Sequence, residues 1–277
     1  MNKLYYLLIL LIIVSCNKDE PEPETFMQIA SITNEGGSIS EQFSYDSYGR
    51  IATYRITYPS ETVTVEYEYE SDNLIKITTK DIIFGRNGIY DLVRTYQDNL
   101  HLKNGLATYC EGIFCQTEQG NTPFEKKYRH EFCYTSGNLL NVVKWTEWSK
   151  DWDGWAEDKP WTWENFYYWE NGNLMKIEDF NGHSYPSVTY TINYNDVAGV
   201  QNVVTIPIGL YQYIPLQLKG IFGAQSVSLI SEVQRDDSFN GITSTSYRYE
   251  FADSRITEYQ ESYADGTTET FSVLWTI

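Results

Sequence analysis

Seven of the eight tryptophans in this 277-residue chain fall between residues 145 and 169: Trp145, Trp148, Trp152, Trp155, Trp161, Trp163 and Trp169. Flat indole faces exclude water while their N–H groups donate hydrogen bonds, so such a cluster suits sugar rings and peptide side chains. Asp153-Gly154 is a two-residue hairpin signal that would set Trp152 opposite Trp155. Strand alternation then puts Trp148, Trp152, Trp155, Trp161 and Trp163 on one face and Trp145 on the other. Pro160 can introduce a bulge that breaks this parity after Lys159. The stripe is either a ligand platform or a core layer covered by a neighbour, and the sequence leaves both readings open. At its tip Asp151, Asp153, Glu157 and Asp158 gather oxygens of the kind calcium takes. The fragment lacks the longer run of alternating acids and reads better as a solvated turn.

The remaining chemistry-bearing residues are sparse. His101, His130 and His183 are the only histidines, and none lies in a nucleophile elbow or a zinc-binding His-Glu-x-x-His pattern. No glycine-rich phosphate loop joins a strand to a helix. Acidic pairs are abundant because there are 38 Asp and Glu, so their abundance does not argue for a glycosidase. A non-catalytic protein without a cofactor is the expectation. The alternatives are a hydrolase of extracellular polysaccharide, which needs two carboxylates converging in a cleft, and a structural envelope protein whose tryptophans are covered. Cys110 and Cys115 can close a small disulfide loop across a turn and leave Cys133 free, with a bridge from Cys133 to either as the other pairing. Zinc lacks a fourth ligand at a familiar spacing.

Charge narrows the partners. With 20 Lys and Arg against 38 acids the net charge is −18. No basic footprint is left for tracking nucleic acid or for binding anionic headgroups. The 24 Tyr, 12 Phe and 8 Trp exclude disorder as the general state, since disordered chains lack such surface to bury.

The elements that must position these residues are strands. Val63, Val65, Tyr67 and Tyr69 alternate with Thr62, Thr64, Glu66 and Glu68, and the same period of two runs through 188–194 and 243–251. A degenerate hairpin recurs: an aromatic, about three turn residues, Asn or Arg, then Leu or Ile. Its copies begin at Tyr45, Tyr69, Tyr134, Trp169 and Phe251, as in Trp169-Glu170-Asn171-Gly172-Asn173-Leu174. Gly, Asn and Asp tolerate the positive φ of such turns and the aromatic covers them. The copies are unevenly spaced, so loops of different length are expected at the opposite ends of the strands. The fold class is all-β, a large antiparallel up-and-down meander forming a barrel-like or strongly curved sheet.

The N-terminus carries an address. Lys3 precedes an apolar run, Leu4 to Val14, too short to span a bilayer but the length of a signal-peptide core. It ends in Ile13-Val14-Ser15-Cys16, which resembles the lipobox of bacterial lipoproteins. That resemblance implies a signal peptide over 1–15, lipidation of Cys16 and a membrane partner reached through the acyl chains. Asn17 to Glu24 is acidic and broken by proline, an extended tether. Lys18-Asp19-Glu20 resembles the export signal of surface-displayed lipoproteins, which implies an outer-membrane lipoprotein at the cell surface, or otherwise facing the periplasm. Residues 25–277 form one Tyr-rich domain. Tyr45-Asp46-Ser47-Tyr48-Gly49-Arg50-Ile51 resembles the tyrosine-aspartate repeats of RHS-type surface proteins. The whole layout is similar to a Bacteroidota lipoprotein family of unknown function with a porin-like fold. The resemblance implies a barrel-like sheet and brings no catalytic residue. A lipid-anchored binding or scaffold module is the functional expectation, with a glycan or protein as ligand.

Overall fold

The computed structural model describes residues 28–85, 91–118, 123–151, 154–155, 160–180, 185–198, 200, 203–204 and 213–276. Two units divide the chain, 29–274 and 1–28 with 275–277; of the latter only Gln28, Trp275 and Thr276 are among the described residues.

The unit 29–274 is a closed antiparallel barrel. Its strands are β1 (Gln28–Asn34), β2 (Ser40–Tyr45), β3 (Ile51–Tyr58), β4 (Glu61–Ser71), β5 (Leu74–Ile83), β6 (Leu92–Lys103), β7 (Leu106–Glu118), β8 (Phe124–Tyr134), β9 (Leu140–Asp151), β10 (Gly154–Trp155), β11 (Trp161–Glu170), β12 (Asn173–Asp179), β13 (Val188–Ala198), β14 (Ser228–Asp237), β15 (Gly241–Ala252), β16 (Arg255–Tyr263) and β17 (Thr268–Thr276). Each strand pairs with the next, and β1 pairs with β17 to close the ring. The two-residue β10 lies on the same side of β9 as β11, so the wall has sixteen strands.

Burial alternates along the wall with apolar residues inside. Val63, Val65 and Tyr67 of β4 are buried, as are Ile75 and Ile77 of β5. Between them Glu66, Glu68, Lys76 and Lys80 are exposed. Glu111 on β7, Lys144 on β9 and Arg248 on β15 continue this charged outer face. A transmembrane barrel has the opposite arrangement, and each Lys or Arg on its lipid face at mid-depth costs about 2–4 kcal/mol, with acids adding less. Among the described residues named above, this outer wall carries charge where such a barrel is apolar.

The recurring hairpins lie together at one end, the short-turn end, where β1 also begins. Each strand pair joined there slips register just before its turn, at Tyr45, Ser71, Leu102, Tyr134, Trp169, Tyr194 and Phe251. The pairs β1–β2, β3–β4, β5–β6, β7–β8, β12–β13, β14–β15 and β16–β17, joined at the loop end, keep a constant register among the described residues. Such bulges raise local twist and free backbone groups. Aromatic donors reach carbonyls beside three of these slips, Trp169 Nε1 to Leu140 O (2.6 Å), Tyr194 Oη to Leu174 O (2.7 Å) and Tyr249 Oη to Ile230 O (2.7 Å), and Tyr45 Oη donates to Ile29 O (2.7 Å) at the start of β1. The turns have the positive φ expected of them, at Asn171 and Gly172 and at Asp253 and Ser254.

One connection departs from expectation. The described part of the long β13–β14 connection from Tyr213 onward lies at the short-turn end, where short turns otherwise prevail, and packs against the inner wall. Its short helix α1 (Ile214–Leu218) begins with Pro215 in the first turn and buries Pro215 and Leu216. Tyr213 and Phe222 pack on Phe132 of β8. Backbone bonds hold the segment to the wall, from Ala107 N–H to Ile221 O (2.8 Å) and from Ala224 N–H to Asn138 O (3.1 Å). Apolar packing therefore fills the lumen beside the short turns.

Candidate functional site

Register decides where the tryptophans go. Gly154 pairs with Asp151 and Trp155 with Lys150, not with Trp152 as a turn centred on Asp153-Gly154 would require. Beyond Pro160 the register has moved, and Trp161 pairs with Glu147 and Trp163 with Trp145. The single five-tryptophan stripe is thereby corrected. Trp145, Trp161 and Trp163 share the inner face, whereas Trp148, an odd number of residues from Trp145 on β9, points outward. The physical cause is the extra chain between β10 and β11, which shifts parity as a bulge does. The side chains of Trp152, Trp155, Asp151, Asp153, Glu157 and Asp158 lie outside the described residues, as do Cys16 and His183.

On the inner face the tryptophans form a graded series from the loop end inward. Trp161 is 71% exposed, Trp163 is half-buried and Trp145 is 7% exposed. Trp145 and Trp163 stack in parallel with centroids 5.6 Å apart. Glu147, opposite Trp161, accepts from Lys126 Nζ at 2.9 Å. Beside this series, Trp145 Nε1 and Asn165 Oδ1 are buried without a hydrogen-bond partner.

Carboxylates line the same inner face near the loop end. Burial pushes Glu41 up to about 7, opposed by the hydrogen bond it accepts from Tyr54 Oη (2.9 Å) and reinforced by Glu261. Burial and the neighbouring Glu61 push Asp81 up to about 6 against the pull of Arg94, 3.4 Å away. A carboxyl whose pKa is raised in the fold stabilises it fully below its ordinary pKa and loses that contribution as pH rises through the folded value. The barrel should therefore lose up to about 3 kcal/mol from Glu41 between about pH 4.5 and 7, at 1.36 kcal/mol per pKa unit. Glu41→Gln keeps the Tyr54 bond without the charge, so it should flatten this decline in guanidinium unfolding midpoints at pH 5 and 8. An unchanged slope would remove Glu41 from the account.

The outer face carries a groove of about 820 Å³ across β5–β9. Trp148 and Ile113 supply apolar surface, Gln97 and Asn99 amides, Lys76, Lys127 and Arg129 cations and Glu111 a carboxylate. Arg129 is ordered from both sides: its guanidinium lies 4.2 Å from the Tyr109 ring centroid, and its Nε donates to Glu131 at 2.9 Å. Pockets of this size accommodate small ligands.

The expected Cys110–Cys115 loop is corrected as well. Both residues lie within the continuous strand β7, with Cys110 buried inward and Cys115 on the outer side, and all three described cysteines are free. Five residues of strand hold their Cα atoms about 16 Å apart, beyond disulfide reach. Cys110 instead joins a buried polar cluster with Tyr213 and His130. His130 Nδ1 lies 2.8 Å from Tyr213 Oη, and burial holds the imidazole neutral with a pKa of about 3. His101 faces outward, stacked on Tyr109. Among the described residues no group of three or more metal-ligating side chains comes together.

No family model and no curated protein sequence matches the chain. Solved structures do. A porin-like protein from Bacteroides uniformis ATCC 8492 is 14% identical with a TM-score of 0.52, the likeness covering 90% of this chain and 96% of that one. A porin-like protein from Bacteroides vulgatus ATCC 8482 is 12% identical with a TM-score of 0.54, covering 90% and 98%. At this identity the likeness is one of fold, and the chain is an all-β antiparallel barrel of porin-like architecture.

Proposed function

We propose that this chain is a lipid-anchored protein of the outer membrane whose barrel stands in water and works as a non-catalytic glycan-binding module. The observation that carries the reading is the outer wall. It bears charge where a spanning barrel needs an apolar band, and it presents the Trp148 groove to solvent. An indole for a sugar face, amides for hydroxyls and an ordered guanidinium are the groups that saccharide recognition needs. The lipobox and tether supply the anchor, and β1 places the short-turn end next in the chain.

The test is a glycan array probed with the chain starting at residue 17, which keeps every described residue, beside Trp148→Ala. Trp148 lies on the surface, so circular dichroism should show both folded. A retained glycan should bind the variant about tenfold more weakly, the loss of roughly 1.4 kcal/mol of stacking. Equal binding would remove the groove from recognition. No retained glycan would leave a structural envelope protein as the better account.

A further inference from the structure

We propose a second ligand site, inside the barrel near its loop end, that takes a neutral saccharide. It is built on β9 and β11 and is separated from the Trp148 groove by the thickness of the wall.

Exposure comes first. The inner-face side chains of Arg94 and Lys126 are 34% and 33% exposed, and that of Glu147 is 28% exposed. Solvent therefore enters the lumen here, whereas Cys110, Tyr213 and Leu216, toward the short turns, are 0% exposed. A ligand entering from the loop end meets Trp161 first, then Trp163, then Trp145. Trp161 and Trp163 sit two residues apart on one strand, about 7 Å, and offer successive flat faces along the wall.

Unmet hydrogen bonds come second. Trp145 is 7% exposed, yet its Nε1 has no hydrogen-bond partner, and neither has the buried Oδ1 of Asn165 on β11. Buried polar atoms are satisfied in nine cases of ten or more, and an orphan costs about 1–3 kcal/mol. Asn165 pairs with Val143, one step along the same face from the Trp145–Trp163 pair, so a donor and an acceptor lie diagonally across two adjacent strands. One ligand can reach both. It must accept from an indole N–H, donate to an amide oxygen and lie flat on aromatic rings, which a sugar ring with its hydroxyls does.

Charge sets the class. Lys126 and Glu147 are already paired to each other at 2.9 Å beside the tryptophans. Neither charge calls for a counter-ion from a ligand, and a carboxylated sugar would meet Glu147. The saccharide is therefore neutral.

The indole region of a ¹⁵N-correlated NMR spectrum reports on the site directly. The sample is the chain from residue 17, with Trp145→Phe identifying the Trp145 resonance. The titrants are neutral cello-, malto- and xylohexaose, with oligogalacturonate as the charged comparator. A neutral hexaose should shift the Trp145 indole resonance saturably. Trp161→Ala, at an exposed position that leaves the fold intact, should weaken that binding about tenfold, while Trp148→Ala should leave it within twofold of wild type. The proposal is overturned if no neutral hexaose moves the Trp145 resonance, if only oligogalacturonate does, or if Trp161→Ala binds as wild type does. Dependence on Trp148 alone would place the saccharide in the outer groove and overturn the second site without touching the first.

Discussion

Gly112→Ala should cost about 4 kcal/mol of stability, although it adds one methyl group to a strand. Asp98, Gly112 and Tyr128 stand side by side on β6, β7 and β8, with Asp98 paired to Gly112 and Gly112 to Tyr128. All three face inward. Because Gly112 has no side chain, Tyr128 reaches across it and donates its hydroxyl hydrogen bond to the Asp98 carboxylate, which is 3% exposed. A Cβ at residue 112 would stand 2.7 Å from the Tyr128 ring and nearer still to Asp98. Overpacking of this kind costs about 1–3 kcal/mol, and leaving the buried hydrogen bond unmade about 1–3 kcal/mol more. The measurement is guanidinium unfolding of Gly112→Ala, Tyr128→Phe and the double variant. If the glycine serves the hydroxyl bond, the alanine should cost less once that hydroxyl is gone. A loss under 1 kcal/mol in the single variant would show that the pair closes without the vacant place.

Gly112 also marks what the sequence does and does not disclose. The alternation of Val63, Val65 and Tyr67 with Thr64, Glu66 and Glu68 is local, and it predicts both the strand and its buried face. The turns are local too: Asn171-Gly172 and Asp253-Ser254 adopt positive φ where the hairpin repeat requires it. A sixth short turn, Asn104-Gly105 between β6 and β7, escaped the repeat because the residue at the aromatic position there is His101 or Leu102 rather than Tyr, Trp or Phe. The irregular spacing of the repeats implied loops of different length at the opposite ends of the strands, and the register slips gather at the repeat end, at or beside the repeat's aromatic in β2–β3, β4–β5, β8–β9, β11–β12 and β15–β16. Tertiary features were the ones out of reach. Nothing near Gly112 in sequence announces Asp98 and Tyr128, which reach it only through pairing. The tryptophan parity failed for a related reason. The pairing of β9 moves from Trp155 opposite Lys150 to Trp161 opposite Glu147, an odd shift between β10 and β11 that sets Trp161 and Trp163 on the face of Trp145 instead of that of Trp148. Cys110 and Cys115 misled in the opposite direction: their spacing resembled a turn, but the residues between them continue a strand.

The polar outer wall and the aromatic-lined lumen follow from the same alternation read in opposite directions. The wall gives up any apolar band, so the barrel must find its core within. A sixteen-strand ring encloses more space than inward side chains fill in a barrel of eight. The β13–β14 segment meets that demand at the short-turn end, and the lumen near the loop end is left to solvent and to Trp161.

Tyr213→Ala should test this division of the lumen, with a loss of about 3–5 kcal/mol, the range for removing a buried aromatic. Tyr213 is 0% exposed and packs on Phe132, Phe222 and the edge of His130. Its hydroxyl stands between His130 Nδ1 and the Cys110 thiol, so one residue of the segment satisfies two buried polar groups of the wall. Tyr213→Phe keeps the ring and should cost only about 1–2 kcal/mol. The thiols give a local readout that global unfolding does not. Cys110 is 0% exposed and its pKa is raised by burial, so it should resist a maleimide reagent while exposed Cys133 reacts. In Tyr213→Ala, under conditions where circular dichroism shows the barrel intact, Cys110 should label because the segment that covers it has lost its anchor. Peptide mass spectrometry separates the two sites. If Cys110 stayed protected while Cys133 labelled fully, the backbone bonds at Ala107 and Asn138 would be sufficient to hold the segment, and Tyr213 would serve packing alone.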